Sequence, residues 1–175
     1  MRSLHKEIEE ENDFMLQRYE NFRAAAELVA AELAKNPAVL KVVLFGSVAS
    51  PLKKEVPRFR KLRRAGAEIW HECSDVDLAV WVNDLSCLRE LNKARGRALN
   101  GTYVAHHQVE IFIMEPETDR YLGRVCIFGS CPKEGKMECR VPGCGETKFL
   151  KLIQDFEFYS DALASGKTQL LFDRK

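Results

Sequence analysis

Apolar residues recur at helical spacing along the N-terminal part of the chain. After a first gap the steps alternate between three and four residues, which places one apolar stripe along a helix of about 3.6 residues per turn. Asn36-Pro37 ends the pattern, because a residue before proline avoids helical backbone angles. A heptad seam is a second interpretation, but the segment is too short to favour a coiled coil over packing on the protein's own sheet. The stripe consists of Ile8, Met15, Tyr19, Phe22, Ala26, Val29 and Leu33.

Three short apolar runs, rich in β-branched residues, predict strands. The run from Val39 to Phe45 stops at Gly46-Ser47, which indicates a buried strand that leads into a turn. A second strand is predicted from Val76 to Val82. A third is predicted from His107 to Met114, where Pro116 ends it.

The intervals between these runs predict helices and loops. Residues 51–72 begin with prolines and predict a basic loop, followed by a helix from about Arg58. Residues 85–99 predict a second core helix, which the turn signal Asn100-Gly101 closes. Between residues 123 and 147 glycines, prolines and cysteines replace any periodicity, and a last helix is expected from about Lys148 to Leu163.

Together these elements predict an α/β fold, with a small mixed β-sheet, flanking helices and a cysteine-rich C-terminal appendage. Residues 1–122 are expected to form the main domain, including the N-terminal helix. Residues 123–175, the cysteine-rich segment and the C-terminal helix, are expected to pack on that same domain.

Acidic residues in two of the predicted strands suggest a metal site. Asp75 and Asp77 are two positions apart, so their side chains emerge on one face of a strand, and Glu110 lies in the third strand. If the two strands are neighbours, Glu110 stands beside the two aspartates. Three carboxylates at that spacing repel one another unless cations lie between them, and Mg²⁺ prefers such oxygen ligands.

Gly46-Ser47 adds a candidate phosphate site. A strand that ends in glycine and serine before a helix offers backbone N–H groups and a hydroxyl to an anion, and glycine lets the backbone approach the ligand closely. A phosphate site beside metal-binding carboxylates indicates phosphoryl or nucleotidyl transfer.

These motifs resemble the nucleotidyltransferase superfamily of the DNA polymerase β type, whose members carry Gly-Ser, then Asp-x-Asp, then a third acidic residue on a later strand. The resemblance covers about residues 39–115 and places its motifs at Gly46-Ser47, Asp75-Val76-Asp77 and Glu110. It implies two Mg²⁺ ions on Asp75, Asp77 and Glu110, with Glu110 also taking the acceptor's proton. It also implies that Gly46 and Ser47 hold the β- and γ-phosphates of an NTP while pyrophosphate leaves.

The expected function is therefore transfer of an NMP group from an NTP, with ATP as the expected donor, to a protein, a tRNA or a small molecule. Minimal members of this superfamily often partner a small helical protein. The alternative is a catalytically idle binding module, or an antitoxin-like partner, that keeps the fold without the reaction.

Charge and chain length modify this picture only locally. Lys plus Arg (27) nearly balances Asp plus Glu (26), and the net charge of +1 argues against a general nucleic-acid binder. Asp75 lies 28 positions after Ser47, and the added residues are basic. They suggest a flap over the triphosphate, a contact for a polyanionic acceptor, or a solvated helix face. A charged N-terminal segment and short apolar runs predict a cytoplasmic protein with no membrane span.

Four of the six cysteines are clustered near the C-terminus. Cys126 and Cys131 form one pair and Cys139 and Cys144 another, each with four residues between, among turn-forming glycines and prolines. A structural Zn²⁺ site is one interpretation, although the usual two-residue spacing is absent; reduced thiols and disulfides are the others. Cys73 and Cys87 are expected to be small apolar core residues.

Overall fold

A six-stranded mixed sheet is the centre of the computed structural model, which describes residues 3–131, 139, 141, 144–152 and 167–175. Its six strands are β1 (Val39–Phe45), β4 (Val76–Val82), β5 (Val109–Met114), β6 (Tyr121–Val125), β7 (Leu150–Lys151) and β8 (Gln169–Asp173). Across the sheet they lie in the order β7-β6-β5-β4-β1-β8. Strands β4 and β5 are parallel, and all other neighbouring strands are antiparallel.

Two long helices pack together on one face of the sheet. They are α1 (Leu4–Leu33), which Ser3 caps by accepting a hydrogen bond from the backbone N–H of Lys6, and α3 (Leu88–Leu99). The core lies between these helices and alternate strand residues, among them Val42, Leu78 and Ile111. In the part of the chain that the structure describes, no helix is long and apolar enough to span a membrane.

The segment between β1 and β4 forms a separate small layer. A single turn of 3₁₀ helix (Ser47–Ala49) follows β1, and a two-stranded ladder joins β2 (Lys54–Glu55) to β3 (Ile69–Trp70). Between them lies α2 (Arg60–Arg64). Leu62 and Ile69 are buried with Met15 of α1 in a small cluster of their own, so this basic segment is anchored to α1.

The α/β class and most predicted elements are confirmed, with shifted ends. The first helix, the first two main strands and the turn after residue 99 lie where the pattern places them. The basic helix begins at Arg60 rather than Arg58. A 3₁₀ turn, Leu85–Cys87, opens the segment predicted as the second core helix, and another, His106–Gln108, precedes β5.

The C-terminal part departs from the prediction at three points. Strand β6 (Tyr121–Val125) extends into residues 123–125, which the composition indicated to be irregular. The helix expected from Lys148 is wrong at its start, because Phe149 has a φ of 65°, a left-handed conformation that a helix cannot continue, and strand β7 follows it. Strand β8 was not predicted. The remainder of the expected helix, residues 153–163, lies outside the described residues.

A buried arginine joins α3 to β5. Arg95 is 1% exposed; its guanidinium donates to the carbonyl of Val109 (2.8 Å), to Oδ1 of Asn92 (2.6 Å) and to Nε2 of His106 (2.9 Å). Burial lowers its pKa to about 10, although electrostatic interactions with the Cys126 sulfur and the Glu110 carboxylate oppose that shift. Arg95 therefore fixes the start of the strand that carries Glu110.

Replacing Arg95 by methionine should destabilise the fold strongly. The change keeps most of the side-chain volume but leaves two buried acceptors, on Val109 and Asn92, and one half-buried acceptor, on His106, without their donor. We expect the free energy of unfolding to fall by about 2–4 kcal/mol in urea melts. Arg97→Met on the same helix is the matched control, since that side chain is 58% exposed, and it should change stability by less than about 1 kcal/mol. Equal effects of the two variants would contradict the role assigned to Arg95.

Candidate active site

The register of the sheet brings the predicted acidic residues together. In the parallel pairing of β4 with β5, Asp77 lies directly opposite Glu110. Both side chains emerge on the sheet face opposite α1 and α3, because Val76 and Leu78 point into the helix-covered core. Asp75 lies just before β4, where its Oδ1 accepts a hydrogen bond from Ser74 Oγ (2.8 Å). The strands that carry Asp77 and Glu110 are therefore neighbours, which is the condition under which the sequence places Glu110 beside the two aspartates.

Gly46 lies against this group from the other side. Strand β1 pairs with β4 so that Phe45 is opposite Asp77, and Gly46 follows with a φ of 76°. A Cβ atom at Gly46 would lie 2.6 Å from Oδ2 of Asp77, closer than side chains tolerate. Glycine is therefore required here for both its left-handed backbone and its missing side chain.

Asp77 has an unusual electrostatic environment. Burial raises its pKa from the ordinary value of 3.8 to about 7, and the negative charges of Asp75 and Glu110 add to that shift. Arg124 acts in the opposite direction and lowers it. A nearby positive charge would lower the free-energy cost of ionising Asp77. Carboxyl groups with a perturbed pKa of this kind are concentrated in functional sites.

Arg124 is the residue of this site that sequence reasoning missed. It lies on β6, and its Nη1 forms an ion pair with Oε2 of Glu110; both side chains are mostly buried. Its guanidinium also lies 4.5 Å from the ring centroid of Phe112, which packs edge-on against Phe45. No motif marks this arginine, and only pairing between β5 and β6 places it beside the carboxylates.

Two arginines of α1 form hydrogen bonds with the loops that carry the motifs. Arg18 Nε donates to the carbonyl of Cys73 (2.6 Å), and Arg23 Nη1 donates to the carbonyl of Val48 (3.2 Å). A hydrogen bond between the Ser47 side chain and the thiol of Cys73 joins these loops, although burial still raises the thiol's pKa. The turn after Gly46 is only three residues long, so its N–H groups do not form the helix N-terminus that the sequence suggested.

The carboxylates of Asp75, Asp77 and Glu110 are ligands that suit Mg²⁺, but they are not arranged as a metal site in this structure. Three carboxylates converge around Asp77, which is the ligand type that Mg²⁺ prefers. Across residues 3–131 and the shorter described ranges, no group of three His, Cys, Asp or Glu side chains is arranged to hold a metal. The ion pair with Arg124 engages Oε2 of Glu110, so a metal would bind this carboxylate through Oε1 or displace the arginine.

The clustered cysteines lie close to one another beyond β6. Cys126 is buried and donates its backbone N–H to the carbonyl of Phe149 (2.8 Å), while Cys144 pairs with Lys151 across an isolated bridge. The pKa of Cys144 is raised, chiefly by a hydrogen bond with Cys139, and Cys131 and Cys126 contribute through their charges. All six cysteines of the chain belong to the described residues and are free thiols, and Cys73 and Cys87 are buried as expected.

Comparison with family models, curated proteins and solved structures found no match for this chain. The resemblance to polymerase β-type nucleotidyltransferases therefore rests on the motif residues alone.

Because the pKa of Asp77 is raised, the metal-free protein should lose stability as pH rises. The protonated form is favoured in the folded state, so the cost of ionising Asp77 is absent below about pH 4 and complete above about pH 7. Between pH 5 and 8 this group alone should lower the free energy of unfolding by about 2–3 kcal/mol. Asp77→Asn removes that dependence, and in EDTA the variant should equal or exceed the parent in stability at pH 8.

Urea melts of both proteins across this pH range provide the measurement. Asp13→Asn, a change at an exposed position of α1, is the control and should follow the parent curve. Clear destabilisation by Asp77→Asn at pH 8 would instead mark Asp77 as a structural hydrogen-bond acceptor and contradict the electrostatic account.

Proposed function

We propose that this protein is a Mg²⁺-dependent nucleotidyltransferase that moves an NMP group from an NTP to an acceptor hydroxyl and releases pyrophosphate. The observation that carries the proposal is the convergence of Asp75, Asp77 and Glu110 beside the Gly46-Ser47 turn. The three motifs, Gly46-Ser47, Asp75-Val76-Asp77 and Glu110, are far apart in sequence, and two separate strand pairings align them. A sheet of this size has no packing requirement for three acidic groups that repel one another.

In this proposal the chain's own residues position the reactants and move a proton. The close contact of Gly46 with Asp77 sets Ser47 beside the carboxylates, and in this proposal the Ser47 hydroxyl donates to the substrate's phosphates. The acceptor oxygen attacks the α-phosphorus as the bond to the β-phosphate oxygen breaks, and the acceptor's proton passes to Glu110. Arg124, released from Glu110, is close enough to neutralise charge on the phosphates. Mg²⁺ held by the three carboxylates would supply charge neutralisation and lower the pKa of the acceptor hydroxyl.

A second candidate is a catalytically idle binding module or an antitoxin-like partner of a small helical protein. The Glu110–Arg124 ion pair favours it, because an internal cation already neutralises part of the carboxylate charge. If that pair stays closed, Glu110 can offer a metal only its Oε1 atom. The two candidates therefore differ in whether divalent cations and NTPs bind.

The cysteine cluster is assigned a structural Zn²⁺ in the same proposal. The thiolates of Cys126, Cys131, Cys139 and Cys144 are the ligands that Zn²⁺ prefers, and they are close enough to influence one another's ionisation. Zinc binding would draw these thiols closer together than they stand in the described residues. Its role would be to fix the segment after β6, the strand that carries Arg124.

NTP binding is tested by thermal stability. A ligand that binds only the folded state stabilises it, by about 1.4 kcal/mol at a concentration of ten times Kd. With Mg²⁺ and millimolar ATP, GTP, CTP or UTP, we expect the melting temperature to rise by about 3–5 °C for the preferred nucleotide. Asp77→Asn should reduce this shift and lower the transfer of labelled NMP to lysate components by at least about a hundredfold.

Asp13→Asn again serves as control and should keep both properties. Absence of a shift with every NTP in the presence of Mg²⁺ would favour the idle module. A shift with unchanged transfer in Asp77→Asn would separate nucleotide binding from the proposed mechanism.

Zinc binding is tested by elemental analysis of protein purified without added metal. We expect about one zinc per chain, and a double Cys139→Ser, Cys144→Ser variant should lose it. Cys73→Ser and Cys87→Ser, made at the two buried cysteines of the main domain, should retain it. A zinc content near zero, with four freely titrating thiols, would eliminate this site.

A further inference from the structure

A cleft of about 620 Å³ opens between the β2–β3 ladder and α1. This volume is within the range of small-molecule binding sites. Its base includes Met15 and Ile69, which are buried in the small cluster under α2 and give the cleft a fixed floor. The cleft is therefore built almost entirely by the segment that lengthens the distance between Ser47 and Asp75.

The walls of the cleft combine an exposed aromatic ring with polar groups. Phe59 is 49% exposed and Val56 is 48% exposed, although neighbouring apolar side chains of this layer are buried. Trp70 forms another part of the wall, and its backbone N–H donates to Oδ1 of Asn12 (2.9 Å), which holds the strand in place. Glu55 and His71, joined by a 2.9 Å contact, add a hydrogen-bonding pair to the rim.

The cleft reaches the carboxylates through one residue. Ser74 lines it, and the Oγ atom of Ser74 donates to Oδ1 of Asp75 (2.8 Å). Glu55 and His71 also border a second, smaller cleft that contains Ser47 and Lys53. Ser74 therefore borders the cleft on one side and contacts Asp75 on the other.

We propose that this cleft binds a nucleobase, with the base against the ring of Phe59 and its sugar directed towards Ser74 and Asp75. Bases stack on exposed aromatic rings, and their edges need hydrogen-bonding partners of both kinds, which Glu55, His71 and Arg58 provide. The inference rests on the proposed function, because it assumes that a nucleotide reaches the carboxylates. The base belongs either to the donor NTP or to a nucleotide acceptor.

Trp70 offers a direct signal, since the chain's other tryptophan, Trp81, is buried and donates to Asp119. Adenosine, guanosine, cytidine and uridine, titrated without metal, should change the tryptophan emission for at least one nucleoside. Phe59→Ala should weaken that nucleoside's binding by about tenfold. Phe14→Ala on α1 is the matched control, because Phe14 is also about half exposed but lies outside the cleft, and it should bind like the parent.

Competition between the nucleoside and the NTP shows whether the base in the cleft belongs to the donor or to the acceptor. A nucleoside that raises the KM of its own NTP would place the donor's base in the cleft, whereas simultaneous binding of both would place the acceptor there. Emission unchanged at millimolar nucleoside, together with a parental KM for every NTP in Phe59→Ala, would overturn the proposal. Asp77→Asn should still bind the nucleoside. A parent protein that binds the nucleoside but transfers no NMP to any acceptor would reject the proposed function but not the cleft.

Discussion

The parallel pairing of β4 with β5 holds the like charges of Asp77 and Glu110 side by side. Burial adds to the cost of this arrangement, because it disfavours the ionised form of Asp77. Arg124 on β6 offsets part of that cost with a counter-charge. The absence of a side chain at Gly46 lets β1 lie against Oδ2 of Asp77. Main-chain hydrogen bonds between β4 and β5 hold the two carboxylates in these positions despite their repulsion.

The scaffold around these strands is rigid where the motifs lie. Arg95 ties the start of β5 to α3, and Arg18 and Arg23 tie the motif loops to α1. Each guanidinium reaches a main-chain carbonyl, so the positions of the carboxylates depend on the two helices as much as on the sheet. A site held from both sides needs little rearrangement to accept a ligand, apart from the opening of the Arg124 ion pair.

Local sequence patterns predicted the parts of the fold that depend on local rules. The Asp75-Val76-Asp77 alternation gave the orientation of the carboxylates, and the apolar stripe before Asn36 gave α1. Long-range pairing was not accessible in this way. Gly123 suggested irregular structure, yet it lies in β6 with a φ of 141°, and a Cβ atom there would come within 2.7 Å of the carbonyl oxygen of Lys151 on β7. Arg124 follows it and was missed with it.

Strand β8 has a consequence for how this protein folds. It hydrogen-bonds to the free side of β1, about 130 positions earlier in the chain, and Arg174 then reaches the carbonyl of Val39. Until residues 169–173 have been synthesised and docked, the strand that leads into Gly46 keeps one unpaired edge. Contacts this distant in sequence form slowly, and an open apolar edge invites pairing with other chains. Truncated or half-synthesised copies should therefore self-associate through β1. In the complete chain, β8 covers this edge and so protects the protein from aggregation.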